Sequence, residues 1–430
     1  MSVVGDAVDL APDGYRPRVV DEELRTALRV MPAAVVEGPR ACGKTWTGRR
    51  FAGSAVFVDE SVDSSLAAGM SAAALLDGPT PRLVDEWQLA PGIWNAMRRA
   101  CDARGRPGQF ILTGSADPPD DVTRHSGAGR VMRVRMRPMS LHESGDSSGA
   151  VSLHGLLQGE PCSAADAGHE LADVLALGCR GGWPQMLDAN LDLAVRAHSA
   201  YLGEISRTDV SRVDGVQRDP LRVGRLLNSV ARNVATEVRH TVLAADTAAP
   251  GEPPVERRTV AGYLAALARL FVTEEIPAWR PHIASRAQAR RSPKLMLCDP
   301  SLTAVALGIG TDHLLADLAF AGRFFESLVL RDLLVYAQAN RCSLSHYRDS
   351  HHLEADAIVE HSDGRWAALE IKLGGAQAID HAAKNLLRLR DRIDQSRTGP
   401  LARLAVITAT GYAYERPDGI AVAPITALAP

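Results

Sequence analysis

The 430-residue sequence predicts a multidomain α/β protein, and three observations carry that expectation. In the first third, short apolar runs read as strands, and a helix can leave the glycine-rich loop that follows the first of them. The middle is dominated by apolar residues at helical spacing, broken by an Ala- and Pro-rich loop. The last third reads helix, three strands, helix, strand, with Asp363-Gly364 as a hairpin turn between two of the strands. A chain this long exceeds what one core organises, so two or three domains are expected. The expected division is 1–145, 146–320 and 321–430, with residues 146–149 (Asp-Ser-Ser-Gly) as a linker.

Composition narrows the class. Hydrophobic content of 46% and charged content of 23% describe a globular chain. A formal net charge of -3 supplies no global attraction to nucleic acid or membrane, so any such binding must come from a local patch. No apolar run approaches the length of a membrane span, and the first residues lack the pattern of a signal peptide. The six cysteines include no C-x-x-C pair. They fit reduced thiols, and the expectation is a cytoplasmic protein without structural zinc or a membrane partner.

The first element in the chain with chemistry is residues 38–45. Gly38, Pro39, Arg40, Ala41, Cys42, Gly43, Lys44 and Thr45 match G-x-x-x-x-G-K-[ST] at every defined position. A buried strand at 33–37 enters this loop and a helix leaves at Thr45. The glycines allow a tight turn whose N–H groups face phosphates. Lys44 would reach the β- and γ-phosphates, and the Thr45 hydroxyl would bind Mg²⁺.

Residues 55–59 read as a second strand and 82–86 as a third, ending in Asp85 and Glu86. An Asp after such a strand can hold Mg²⁺, and a following Glu can polarise the attacking water; the bland alternative is a solvated turn. Residues 109–115 form a fourth strand ending in hydroxyls, where Ser115 could sense the γ-phosphate or simply cap the turn. Residues 131–136 alternate apolar and basic, as a half-exposed strand does. Arg130, just before them, reads equally well as a phosphate-stabilising or a surface arginine.

The ordered set G-P-R-x-x-G-K-T, L-V-D-E-W-Q, F-I-L-T-G-S, G-R-V and R-P-M-S-L-H-E resembles a prokaryotic AAA-type P-loop ATPase family. Members of that family carry a C-terminal DUF4143 region. The resemblance runs from Tyr15 to the chain end. It implies ATP and Mg²⁺ as cofactors, with Lys44 and Thr45 at phosphates and metal, Asp85 at Mg²⁺, and Glu86 activating water. Gly181-Gly182-Trp183-Pro184 is similar to the G-x-P turn with which signal-transducing ATPases contact adenine, and it also reads as a generic stop between helices.

In the middle, residues 221–243 have helical spacing, 244–254 a loop, and 259–267 a second helix with Thr259 near its start. Strand-like 270–272 and 294–297 flank Arg280, His282, Arg286, Arg290 and Arg291. The order resembles a winged helix-turn-helix whose basic wing could meet DNA or RNA phosphates. A helical connector with a solvated basic loop is the alternative.

The last third resembles the PD-(D/E)xK restriction-endonuclease-like fold, although Glu354-Ala355-Asp356 replaces the Pro-Asp pair. Its expected helices are 324–338 and 380–393, and its strands 342–348, 354–359, 366–372 and 404–408. Strand side chains alternate, so Glu370 and Lys372 share a face. Asp356 and Glu370 would hold Mg²⁺ or Mn²⁺, Glu326 would be an outer ligand, and Lys372 would orient water. A structural salt bridge between Glu370 and Lys372 is the alternative. The resulting expectation is an ATPase whose nucleotide state gates a nuclease-like domain. A rival is a signalling switch that binds DNA or protein through a catalytically inactive domain. A second copy of the chain or another protein remains open as partner.

Overall fold

The computed structural model describes residues 13–58, 72–116, 126–281 and 292–430, which fall into two compact units. The first unit holds residues up to Pro138 with short returns at 211–216 and 269–271. The second holds the rest from Met139 onward.

The first unit begins with α1 (Val20–Val30), whose first turn carries Asp21, Glu22 and Glu23 against the positive end of the helix dipole. Leu24 and Ala27 on its apolar stripe are fully buried. The chain continues through β1 (Ala33–Glu37), α2 (Lys44–Phe51), β2 (Ser54–Phe57) and β3 (Arg82–Asp85). It closes with α3 (Gly92–Arg104), β4 (Phe110–Gly114) and β5 (Val131–Arg135). The sheet order is β2-β3-β4-β1-β5, and every pair is parallel. Such a sheet is covered on both faces, so its inner strands read as unbroken apolar runs. β4 is buried at every position, and its Phe110 and Leu112 share a core with Val35, Val84, Trp87, Trp94 and Met97. Glu37 registers with Gly114 on one side and Arg135 on the other, so these strands end along one edge. Asp59, the expected end of the second strand, lies outside the described residues.

After short helices at Leu141–Ser144 and Leu153–Gln158, the second unit carries helices α4 (Leu171–Arg180), α5 (Leu191–Glu204), α6 (Pro220–Arg232), α7 (His240–Thr247) and α8 (Arg257–Arg269). The helical stretch expected over 221–243 is two helices. Ala235 takes a left-handed φ of 57° and donates its N–H to Leu295 O at 3.1 Å, and Leu295 N–H returns to Thr236 O at 3.1 Å. Backbone pairing with a distant strand therefore overrides the local spacing. α7 also runs to Thr247, into the expected loop.

A hairpin follows, with β6 (Thr273–Ile276) antiparallel to β7 (Lys294–Leu297). The strand expected at 270–272 thus starts at Thr273, after Phe271 with a left-handed φ of 60°. Of the basic residues placed between these strands, Arg280 is exposed, and His282, Arg286, Arg290 and Arg291 lie outside the described residues.

After α9 (Pro300–Leu307) and the long α10 (Leu318–Ala339) come β8 (Cys342–Arg348), β9 (Glu354–His361) and β10 (Trp366–Lys372). The chain ends with α11 (Ala376–Arg392), β11 (Leu401–Thr408), β12 (Tyr414–Glu415) and β13 (Ala421–Pro424). The six-stranded sheet has the order β12-β13-β11-β10-β9-β8. β8, β9 and β10 pair antiparallel, whereas β10–β11 and β11–β13 are parallel. Gly364, at φ 90°, makes the turn between β9 and β10. Residues 146–149 are packed: Ser148 N–H donates to Thr426 O at 2.8 Å and the Ser147 hydroxyl to Leu428 O at 2.6 Å. No described helix is long and apolar enough to cross a membrane.

Candidate functional site

At the carboxyl edge of the first sheet, the loop after β1 turns through Ala41 (φ 61°) and Gly43 (φ 106°) into α2. A Cβ on Gly38 would lie 2.1 Å from the Met136 carbonyl oxygen, so only glycine lets the loop pass this backbone. The buried Arg18 guanidinium donates to Cys42 O at 2.7 Å and Arg137 O at 2.8 Å, bracing the loop from outside. Lys44 is buried and donates to Pro39 O at 2.7 Å, holding its ammonium over the loop.

Asp85, at the end of β3, accepts from the Thr45 hydroxyl at 2.9 Å and from the Thr113 hydroxyl on β4. Burial pushes its carboxyl above the ordinary range, while the Thr113 and Thr45 hydrogen bonds pull it back part of the way. Glu86 follows in the left-handed region at φ 52°, a conformation a non-glycine residue seldom takes. Its carboxylate accepts from the Ser115 hydroxyl at 2.8 Å and from the Gln88 side-chain amide. The structure therefore brings Lys44, Thr45, Asp85, Glu86 and Ser115 to one edge. Arg18, Gln88 and Thr113 complete it; the run of hydroxyls ending the fourth strand signalled Thr113, the L-V-D-E-W-Q motif contains Gln88, and nothing in the sequence singled out Arg18.

Arg130 is not at this edge. Its carbonyl accepts from Ala33 N–H at 3.0 Å, at the opposite end of β1, and its guanidinium pairs with Asp102 at 2.5 Å. A strand of five residues spans about 16 Å, so this arginine is a surface ion-pair partner and not a phosphate ligand of its own unit.

Trp183 also departs from expectation. It is 3% exposed, its indole N–H donates to Ser301 Oγ at 3.0 Å, and its ring packs against Tyr201 at 5.0 Å between centroids. A Cβ on Gly182 would lie 2.0 Å from Met139 O, so the G-G-W-P run is a tight packing corner. An aromatic ring enclosed this way presents no face to a base.

In the second unit, β9 carries a bulge between Ala355 and Ile358. Bulges re-aim side chains, and here Asp356 turns to accept from Ile371 N–H of β10 at 2.8 Å. Lys372 Nζ lies 3.1 Å from Asp356 Oδ2 and 2.7 Å from Glu370 Oε2. Asn385 of α11 donates to Glu370 Oε1 at 2.6 Å and to Glu354 O at 2.8 Å. Glu326 of α10 meets Lys294 of β7, which sequence reasoning did not place here: Nζ is 2.5 Å from Glu326 Oε1 and 3.7 Å from Asp356 Oδ1.

Electrostatics follow from this packing. Burial raises Glu326 and Glu370 to about 7 each, with Lys294 and Lys372 respectively pulling downward. Burial acts the same way on Asp356, but Lys294 and Lys372 on either side outweigh it and hold this carboxyl below its ordinary value. The expected carboxylates do converge with Lys372, yet both Asp356 oxygens and both Glu370 oxygens already face a cation or an N–H donor. Among the described residues no group of three His, Cys, Asp or Glu side chains has metal-ligand spacing. The donors as arranged do not fit a divalent metal.

Residues 31–145 match the AAA domain family, residues 172–313 a domain of unknown function (DUF8612), and residues 321–428 another (DUF4143). Uncharacterized proteins of Mycobacterium bovis and Mycobacterium tuberculosis are each 27% identical over 409 residues, covering 93% of this chain and 82% of their own length. The Walker-type ATPase of Pyrococcus abyssi is similar in structure at 14% identity and a TM-score of 0.41, over 69% of this chain and 97% of that one.

Proposed function

We propose that this chain, an AAA-type protein at residues 31–145 with a C-terminal DUF4143 region, binds Mg-ATP and hydrolyses it. The observation that carries the reading is the joined edge at which Thr45 bonds Asp85 while Ser115 and Gln88 hold Glu86. Lys44 would exchange the Pro39 carbonyl for phosphate oxygens, and the loop N–H groups would cradle the same charge. Thr45 and Asp85 would hold Mg²⁺, which when bound offsets the charge between phosphates. Glu86, fixed by two donors, would orient water toward the γ-phosphate and accept its proton. ATP binding and turnover, measured separately for wild type and Lys44→Ala, test this. Equal turnover in both would sink it.

A second reading concerns the C-terminal sheet. Its order of helix, three strands, helix and strand motivates a nuclease-like assignment and a domain division at residues 145 and 320, with Mg²⁺ or Mn²⁺ on Glu326, Asp356 and Glu370. The ion-paired state of those carboxylates favours the alternative, a nucleotide-driven switch whose C-terminal domain is a platform for DNA or protein. Incubation with labelled DNA and RNA, with and without Mn²⁺, separates the two; Asp356-dependent cleavage would defeat the platform reading. The order of α6 and α7, then α8, then the β6–β7 hairpin motivates a winged-helix reading, which salt-dependent retention of a nucleic-acid probe would test.

A further inference from the structure

Lys294 lies outside the region matched to DUF4143, on a hairpin strand supplied by the preceding segment, yet its ammonium lies among the carboxylates of the C-terminal sheet. It stands 2.5 Å from Glu326 Oε1, 3.7 Å from Asp356 Oδ1 and 3.5 Å from the Asp356 carbonyl oxygen. Its side chain is only 13% exposed, and Glu326 and Asp356 are each 14% exposed. Three oxygens of two residues thus face one cation.

We propose that Lys294 determines the cation specificity of this cluster: its ammonium is the resident cation, and it excludes a divalent metal from Glu326 and Asp356. A divalent ion bridging these carboxylates would need oxygens at about 2.0–2.6 Å and would lie within about 4 Å of the ammonium. Two positive charges that close in a poorly solvated site repel strongly, so occupancy by one excludes the other. Lys372 does not substitute for Lys294, because it is engaged with Asp356 Oδ2 and Glu370 on the other side of the cluster. The contact comes from β7, so the segment before the C-terminal domain closes the domain's charged face. This inference rests on the platform reading above.

The test titrates nucleotide-free full-length protein with Mn²⁺ and reads free metal by electron paramagnetic resonance. Wild type, Lys294→Met and Lys294→Arg are compared, each with and without Asp356→Asn. Wild type and Lys294→Arg should show no Asp356-dependent site, and Lys294→Met should gain one at least roughly tenfold tighter than any wild-type binding. An Asp356-dependent wild-type site as tight as that of Lys294→Met would overturn the proposal, as would a folded Lys294→Met with no gain. Should Lys294→Met fail to fold, amine labelling of Lys294 by mass spectrometry decides. Glu326→Gln should speed labelling of Lys294 and leave the exposed Lys384 unchanged, and an unchanged Lys294 rate would overturn the contact. Labelled DNA in the same Mn²⁺ samples keeps the two claims apart. Asp356-dependent cleavage by wild type would defeat the platform reading along with the proposal, whereas an uncleaved probe with tight wild-type Mn²⁺ binding would defeat the proposal alone.

Discussion

The Thr45 hydroxyl donates to Asp85 Oδ1 at 2.9 Å, tying the first turn of α2 to the end of β3. Thr45→Val keeps the shape and removes this donor. It should lower Mg-ATP turnover by roughly 10–100-fold, the usual cost of losing a group at a metal's ligand shell. Steady-state kinetics across Mg²⁺ concentrations would check it, and unchanged turnover at every concentration would remove Thr45 from the site.

Asp85 is a buried acid whose carboxyl is raised chiefly by burial. Because the folded protein binds this proton more tightly than the unfolded chain, the carboxylate's contribution to stability falls as pH rises above its ordinary 3.8. Asp85→Asn should therefore raise the melting temperature of the nucleotide-free protein at pH 7 while abolishing turnover. A lower melting temperature would mean that the Thr45 and Thr113 bonds to the charged form outweigh burial.

Glu86→Gln should bind ATP as wild type does and lose about 10²–10⁴-fold in turnover, since only proton acceptance is removed. Single-turnover kinetics alongside equilibrium binding separate the two effects. Full turnover in the variant would assign water activation elsewhere.

Gly38 and Gly92 offer a paired stability test. Gly38→Ala would put a methyl 2.1 Å from Met136 O, forcing a backbone shift that should cost about 1–3 kcal/mol and weaken nucleotide binding. Gly92, at the start of α3, has nothing within 4 Å of a built Cβ, and its Ala variant should be neutral or up to about 1 kcal/mol more stable. Denaturant melts of both would show whether close approach or helix propensity dominates.

Arg331 lies buried between Asp299 at 2.8 Å and Asp332 at 2.6 Å. Arg331→Met would leave both carboxylates without this countercharge and should cost about 3–5 kcal/mol. Asp332 is raised from 3.8 to about 6, chiefly by burial, with Arg331 pulling the other way. Its contribution to stability should therefore decline as pH rises from about 3.8 through about 6. Asp332→Asn should flatten that part of the melting curve against pH, and an unchanged slope would reassign it to other groups.

Several strands were legible because burial on both faces leaves an unbroken apolar run: β1 and β10 carry the expected bounds, and β4 differs by one residue at each end. The tight turn over residues 38–45 was legible because its glycines answer to local backbone geometry, as Gly43 does with its left-handed φ. The break between α6 and α7 was not, because Leu295 supplies the hydrogen bonds that open it from some sixty positions along the chain. Trp183 misled for a related reason: a G-G-W-P run looks the same whether its tryptophan meets a base or Ser301.

By itself the sequence determined which chemical groups are available and where the chain turns, since loop glycines and apolar periodicity act through nearest neighbours. Only the tertiary structure decided what the charges do. It placed Arg130 at the far end of the strands from the phosphate loop, and it brought Lys294 from a hairpin to Glu326 and Asp356. Ion pairs between distant segments depend on how sheets and helices pack, and no spacing along the chain encodes them. Burial then makes such pairing obligatory: a carboxylate removed from water must find a cation, a donor or a proton, and the fold determines which is within reach.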